Sequence, residues 1–218
     1  MKSILSTKSL KKEQINKLLE AGMTVVDYDA ISIAFLNFDC PDKIENAIFT
    51  SQQGVFSFLN KKNNLSTIKN CFCVGTRTKE LLEEKELKVL EMAQNSLELS
   101  KIIAKKYKKS LFYYFCGTMR REELPKAIKD QKISLFEVKT YKTELKTKKF
   151  DQKWNGILFF SPSGVASYIS ENKNEKQAVA FCIGKTTAMS AKEHFKAVVV
   201  AKQNTIEDVI SMAIETLK

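Results

Sequence analysis

The chain has 218 residues, 44% of them hydrophobic and 28% charged, and its 36 lysines and arginines against 25 acidic residues give a formal net charge of +11. That length suits one large domain or two of about 100 residues each. No apolar run reaches the ~18 residues a membrane helix needs, and the N-terminus does not read as a signal peptide, so a cytoplasmic protein without a membrane span is expected.

Residues 2–7 read as a strand, and Leu10 to Glu20 as a helix with Ile15, Leu18 and Leu19 on its apolar side, stopped at Gly22. A single strand is expected from Met23 to Ile33. A connector around Phe38-Asp39-Cys40-Pro41-Asp42 leads to a strand over Ile44–Ser51 and a short helix over Gly54–Asn60. Cys71–Val74 is a buried strand, Arg77–Glu84 a helix and Leu87–Leu90 a strand, after which Ser96 is expected to cap a helix to about Lys105. Ser110–Cys116 is a very apolar strand ending at Gly117-Thr118, followed by a helix over Arg120–Lys129 and a strand over Ile133–Tyr141. Beyond a lysine-rich connector, Lys142 to Lys153, come a strand Gly156–Ser161, a helix Gly164–Ser170, a strand Ala178–Ile183 and a helix Thr186–Glu193. A strand over Ala197–Ala201 and a helix capped by Asn204 or Thr205 close the chain. Strands alternate with helices and several are apolar on both faces, which predicts parallel sheets covered by helices.

The chain also repeats itself. A strand ending in serine occurs as Ile48-Phe49-Thr50-Ser51 and again as Leu158-Phe159-Phe160-Ser161, 110 positions later (161 less 51). A strand, glycine and helix start occurs as Cys73-Val74-Gly75-Thr76-Arg77-Thr78 and again as Cys182-Ile183-Gly184-Lys185-Thr186-Thr187, 109 positions later (184 less 75). Aligned by that offset, the last three strands match the first three of the middle segment, and the first two strands of the chain match its last two. The expected fold is therefore α/β with two similar flavodoxin-like domains, each a parallel sheet flanked by helices. One is discontinuous, from 1–35 with 143–218, and one inserted, 36–142; two connectors join them with a cleft between.

In such sheets ligands bind beyond the C-terminal strand ends, where helix N-termini point. Ser51, Gly75 to Thr78, Gly117-Thr118, Ser161 to Ser163 and Gly184 to Thr187 all fall there. Free N–H groups and the helix dipole favour anions by ~0.3–1 kcal/mol per exposed contact, so a ligand with several negative charges suits a basic chain; the alternative for each hydroxyl is that it only caps its own helix. The sequence has no GxGxxG and no GxxxxGK[ST] loop. The five cysteines (Cys40, Cys71, Cys73, Cys116, Cys182) lack CxxC spacing and read as buried thiols rather than disulfides or metal ligands. The lone histidine, His194, stands apart from any nucleophile or ligand cluster and reads as structural. Without a basic recognition helix or a ribonucleoprotein-type aromatic strand, nucleic acid is not an expected partner.

These pieces in this order resemble the uroporphyrinogen-III synthase family over essentially the whole chain. The matching segments are Phe159 to Gly164, Ile183 to Ala188, Gln203 to Glu207, Cys116-Gly117-Thr118-Met119-Arg120-Arg121-Glu122 with Leu124-Pro125, and Val138 to Thr143. The resemblance implies a monomeric two-domain lyase of haem biosynthesis that closes the polycarboxylate hydroxymethylbilane to uroporphyrinogen III. It inverts the last pyrrole ring and loses water, through an azafulvene and a spirocyclic pyrrolenine, without metal or cofactor. The upstream hydroxymethylbilane synthase is a candidate partner. The resemblance further implies that Tyr141 is the catalytic acid, a neutral phenol with a pKa near ~10. Thr78, Thr186 and Thr187 are then substrate contacts at the cleft, with the serine turns Ser51, Ser161 and Ser163 and the turn Gly117-Thr118. The competing reading is a two-lobed binding protein for a polyanion or tetrapyrrole, with no chemistry.

Overall fold

The computed structural model describes residues 1–61, 67–173 and 177–218. In its first half, β1 (Lys2–Ser6), α1 (Lys12–Glu20), β2 (Met23–Asp27) and β3 (Ile31–Phe35) precede β4 (Lys43–Phe49), α2 (Gln52–Leu59), β5 (Thr67–Val74), α3 (Thr76–Glu84) and β6 (Val89–Ala93). Next come α4 (Ser96–Lys106), β7 (Leu111–Gly117), α5 (Glu123–Asp130) and β8 (Ser134–Leu145). The remainder is β9 (Gly156–Phe159), α6 (Pro162–Glu171), β10 (Val179–Cys182), α7 (Lys185–Lys192), β11 (Ala197–Val200) and α8 (Ile206–Leu217). The chain divides into two compact units: unit 1 is Met1–Ser32 with Glu144–Lys218, and unit 2 is Ile33–Thr143.

Unit 1 carries a parallel sheet in the order β11-β10-β9-β1-β2. Unit 2 carries the order β3-β8-β7-β4-β5-β6, parallel from β8 to β6. Set β3 aside and the two sheets have one layout: β9, β10 and β11 take the places of β4, β5 and β6, while β1 and β2 take those of β7 and β8. Counted along the chain, unit 1 has the flavodoxin order 2-1-3-4-5. Unit 2 starts at the strand that comes third in unit 1, and so counts 3-2-1-4-5.

Both faces of each sheet are buried at its central strands, which is why those strands read as apolar runs rather than alternating ones. In unit 1, Leu5, Ile157 and Phe159 face α6 and α7 residues such as Val165 and Ala188, while Ile4 and Leu158 pack with Leu18 of α1 and Val209 and Ile210 of α8. In unit 2, Phe49 stacks on Phe115 with centroids 5.2 Å apart, and Phe58 of α2 meets Phe115 edge-on at 5.0 Å. Each such fully buried aromatic contributes about 1.5–3 kcal/mol of transfer free energy. Ile48 and Phe72 cover the opposite face with Leu99 and Ile103 of α4.

Four expectations are corrected in detail. The stretch Met23–Ile33 is two strands, because Asp27 and Asp29 are drawn to the loop after β1. Asp27 Oδ2 accepts the Leu10 N–H at 2.7 Å, and the Asp29 carboxylate accepts the N–H and Oγ–H of Ser9, both at 3.0 Å. Strand β8 runs to Leu145, into the lysine-rich stretch, beside β3. Leu36 N–H donates to Thr140 O at 2.9 Å and Lys146 N–H to Ala30 O at 2.8 Å, an antiparallel sense in which each pair is the other's image under the repeat offset. Helix α4 is capped by Asn95, whose Oδ1 accepts from Glu98 N–H at 2.9 Å, not by Ser96. Helix α5 begins at Glu123 rather than Arg120, because the Arg120 guanidinium is held by Glu137.

Candidate functional site

The hydroxyl-bearing turns sit where the repeat places them, at the C-terminal ends of the strands. In unit 2, β4 ends at Phe49 and Thr50-Ser51 turns the chain into α2. Ser51 is the N-cap, extended at φ −157°, and its Oγ accepts the Gly54 N–H at 3.3 Å. Strand β5 delivers Gly75, whose φ of +84° suits glycine, and α3 follows with Thr78 buried in its first turn. No side chain caps α3, so Thr78 is not the helix cap that the bland reading would make it.

Tyr141 lies where β8 shifts register against β7: Cys116 pairs with Lys139 but Gly117 pairs with Tyr141, leaving Thr140 over. Such a bulge re-aims a side chain. The Tyr141 hydroxyl is 2.8 Å from Ser51 Oγ. Its ring lies over Gly117, where a Cβ would stand 2.6 Å from Cε2, and Thr118 N–H donates to Tyr141 O at 3.0 Å. Burial raises the Tyr141 pKa above its ordinary 10.0, and the Ser51 hydrogen bond works against that rise. The phenol is therefore neutral at pH 7 and able to donate. One residue before Ser51, Thr50 Oγ1 is 2.8 Å from the hydroxyl of the buried Tyr114, whose pKa burial pushes up to about 12. Ser51, Gly117, Thr118 and Tyr141 thus come together, while Thr78 sits separately on α3.

Beside them lies a charged cluster that local sequence does not signal. The Glu137 carboxylate takes Arg120, Lys129 at 3.0 Å and Lys139 at 3.2 Å, and Arg120 also pairs with Glu122. Burial opposes ionisation of Glu137, but the hydrogen bonds from Arg120, Lys129 and Lys139 outweigh it and hold the pKa down at about 2. The cluster ties β8 to α5 and to the loop after β7, so only the fold reveals it. Two cavities of about 460 Å³ lie alongside residues 35–41 of unit 2, and Tyr141 lines neither.

In unit 1, Ser161 caps α6 as Ser51 caps α2: φ is −161°, and Oγ accepts the Gly164 N–H at 3.0 Å. Ser163 Oγ is 3.0 Å from Ser161 Oγ. Helix α7 starts at Gly184 without a side-chain cap, with Thr186 exposed and Thr187 buried in its first turn. Thr205, of the two residues expected, caps α8 by accepting the Asp208 N–H at 3.2 Å. Strand pairings carry Glu137 through Tyr114 and Ile48 to its unit 1 counterpart, Asp27, reached through Leu158 and Ser6. Both carboxylates hold the loop that follows the preceding strand. Four residues beyond Glu137 is Tyr141, but four beyond Asp27 is Ile31, so the phenol belongs to unit 2 alone. His194 is exposed just past α7. Cys71 and Cys182 are buried thiols pushed up to about 12 and so unreactive. Among the described residues no group of histidine, cysteine or carboxylate side chains could hold a metal ion, and no helix is long and apolar enough to cross a membrane.

A split α/β unit with a second of the same layout inserted, hydroxyls and helix N-termini at the strand ends, and the half-buried Tyr141 phenol beside Ser51 define a duplicated two-unit α/β protein. The family model for uroporphyrinogen-III synthase HemD matches residues 12–211, and the chain belongs to that family, an enzyme family of cyclising hydro-lyases in tetrapyrrole biosynthesis. Its fold is that of solved relatives. The crystal structure of uroporphyrinogen-III synthetase from Helicobacter pylori 26695 superposes with a TM-score of 0.73 at 17% identity, covering 99% of this chain and 100% of that one. A mutant uroporphyrinogen III synthase from the extremely thermophilic bacterium Thermus thermophilus gives 0.67 at 11% identity, over 99% and 98%. No curated protein sequence matches the chain.

Proposed function

We propose that the chain closes hydroxymethylbilane to uroporphyrinogen III and that Tyr141 is the acid that starts the reaction. The observation that carries this reading is the Tyr141 phenol at the β8 bulge, neutral at pH 7, 2.8 Å from Ser51 Oγ and given room by Gly117. The Tyr141 O–H proton passes to the substrate hydroxyl as the C–O bond breaks, water leaves, and the pyrrole nitrogen lone pair delocalises into an azafulvene cation. Attack by the substituted α-carbon of the last ring forms a spirocyclic pyrrolenine, whose fragmentation and re-closure invert that ring. The proton released on rearomatisation returns to the phenolate, so one water is lost overall. Acid assistance of this kind contributes about 10²–10⁴-fold.

Thr78, Thr186 and Thr187 with Thr118, Ser163 and Ser161 bind the carboxylates, helped by the N-termini of α2, α3, α6 and α7. Thr78 and Thr187 support this most directly, since they stand first-turn and buried without serving as caps. The reading places the enzyme as a monomer in the cytoplasm, receiving its substrate from hydroxymethylbilane synthase. Buried thiols at Cys71, Cys73, Cys116 and Cys182 fit a reducing compartment. The test is isomer analysis of purified protein given hydroxymethylbilane. The type III isomer is expected; a mixture no different from the type I product of spontaneous closure overturns the proposal.

A further inference from the structure

Resting on the reading of Tyr141 as the acid, we infer that Ser51 is a positioning residue for the reaction: it hands its own proton to the Tyr141 oxygen, so that the phenol proton is left free to point at the substrate. A serine hydroxyl has one proton and two lone pairs. One lone pair of Ser51 Oγ is taken by the Gly54 N–H at 3.3 Å. The contact to Tyr141 at 2.8 Å can run in either sense. If Tyr141 donates, its proton is spent on Ser51 and cannot reach a leaving hydroxyl. If Ser51 donates, both roles are met, and the phenolate that forms as the proton departs already has a hydrogen bond in place.

The surroundings favour that second sense. Ser51 is the N-cap of an eight-residue helix, so its oxygen is oriented by the Gly54 amide and sits in the positive field of the helix end. An oxygen polarised in that way is a better donor through its own proton. Gly117 closes off the other side of the ring, since any Cβ there would overlap Cε2 and Cζ, and the Tyr141 carbonyl is fixed by Thr118 N–H. The ring is therefore held on its flank, its backbone and its oxygen, leaving the O–H torsion as the one freedom, which Ser51 sets. In the other unit the same cap, Ser161, points its Oγ at Ser163 instead. The same serine geometry thus caps a helix in both units and adds the tyrosine contact in unit 2.

The test compares three variants in the full-length protein. Ser51→Gly removes the hydroxyl while keeping a tolerated N-cap, Ser51→Thr keeps the hydroxyl, and Ser51→Asp keeps a strong cap but can only accept a hydrogen bond. The expected result is a kcat loss of at least tenfold in Ser51→Gly and Ser51→Asp, with recovery to within a few-fold of wild type in Ser51→Thr. In Ser51→Gly, the basic limb of the kcat profile moves to higher pH, and so does the Tyr141 ionisation read as tyrosinate absorbance against a Tyr141→Phe background. A cap acting only on folding would move neither limb nor titration. If Ser51→Gly does not fold, Ser51→Asp carries the same test. Wild-type kcat in both hydroxyl-free variants, or equal loss in Ser51→Thr without a shifted limb, overturns the inference. A Tyr141→Phe enzyme with full activity would instead sink the parent reading, and the two failures are told apart by that variant alone.

Discussion

Gly117 and Tyr141 occupy adjoining space that only a glycine leaves open: a Cβ on Gly117 would stand 2.6 Å from Cε2, 2.8 Å from Cζ and 3.1 Å from the hydroxyl oxygen. Gly117 also closes the register shift between β7 and β8, so ring and backbone cannot both give way. Gly117→Ala is expected to push the ring off Ser51 and to lower kcat by ten- to a hundredfold. Substrate KM should change less, because all the proposed carboxylate contacts but Thr118 lie on other turns. A steady-state comparison with wild type checks this, and unchanged kcat would show that the ring position does not matter.

Removing the hydroxyl itself separates chemistry from contact. Tyr141→Phe keeps the ring over Gly117 and loses only the proton and the Ser51 bond. The rate of type III formation at saturating substrate should fall about 10²-fold or more, while product affinity by calorimetric titration stays within a few-fold. An equal loss in both quantities would demote Tyr141 from acid to binding contact.

The turns proposed to carry this chemistry are legible because each is local: a strand end, a serine or glycine, and the first turn of a helix. Ser51 and Ser161 declare themselves within four residues, and their repetition gave the two like units and, through the strand matches, the split of one of them. What local pattern could not give depends on groups far apart in the chain. Asp27 and Asp29 look like continuations of an apolar strand until the amides of Ser9 and Leu10 claim their carboxylates. Asn95 and Ser96 are both good caps, and the backbone at Asn95 decides between them. Glu137 and Arg120 meet only because β7 and β8 pair. The contact of Ser51 with Tyr141 spans 90 residues, so no local pattern announces that this capping serine also meets the phenol.

Glu137 sets an acid limit on unit 2. Its folded pKa of about 2 lies below the ordinary 4.5 of a glutamate. A depressed carboxylate contributes stability that is fully present above the unfolded value and is lost as pH falls through the folded one, here between about 4.5 and about 2. The shift is of order 2–3 kcal/mol at neutral pH. Urea unfolding of wild type at pH 7, 4 and 3 should show the loss, and Glu137→Gln should be less stable at pH 7 yet flatter across that range. Its cost at pH 7 should reach about 2–4 kcal/mol, because Arg120 is left partly buried without its partner. Parallel pH profiles for the two proteins would remove Glu137 from the account.

Thr78 and Thr187 offer the sharpest separation of binding from folding. Both are buried in the first turn of a helix whose N-cap is a glycine, 5% and 3% exposed, and neither hydroxyl caps its helix. Threonine to valine keeps the shape and removes only the hydroxyl. If these hydroxyls meet substrate carboxylates, Thr78→Val and Thr187→Val should each raise KM about ten- to a hundredfold, the worth of one hydrogen bond to a charged group. Tm should stay within about 2 °C. Ser161→Ala supplies the contrast, since its Oγ satisfies the Gly164 amide and losing a cap costs about 1 kcal/mol, a fall of several degrees in Tm for a unit of this size. Wild-type KM in both valine variants, or a fall in Tm as large as that of Ser161→Ala, would return the two threonines to the scaffold and leave the carboxylates to backbone amides alone.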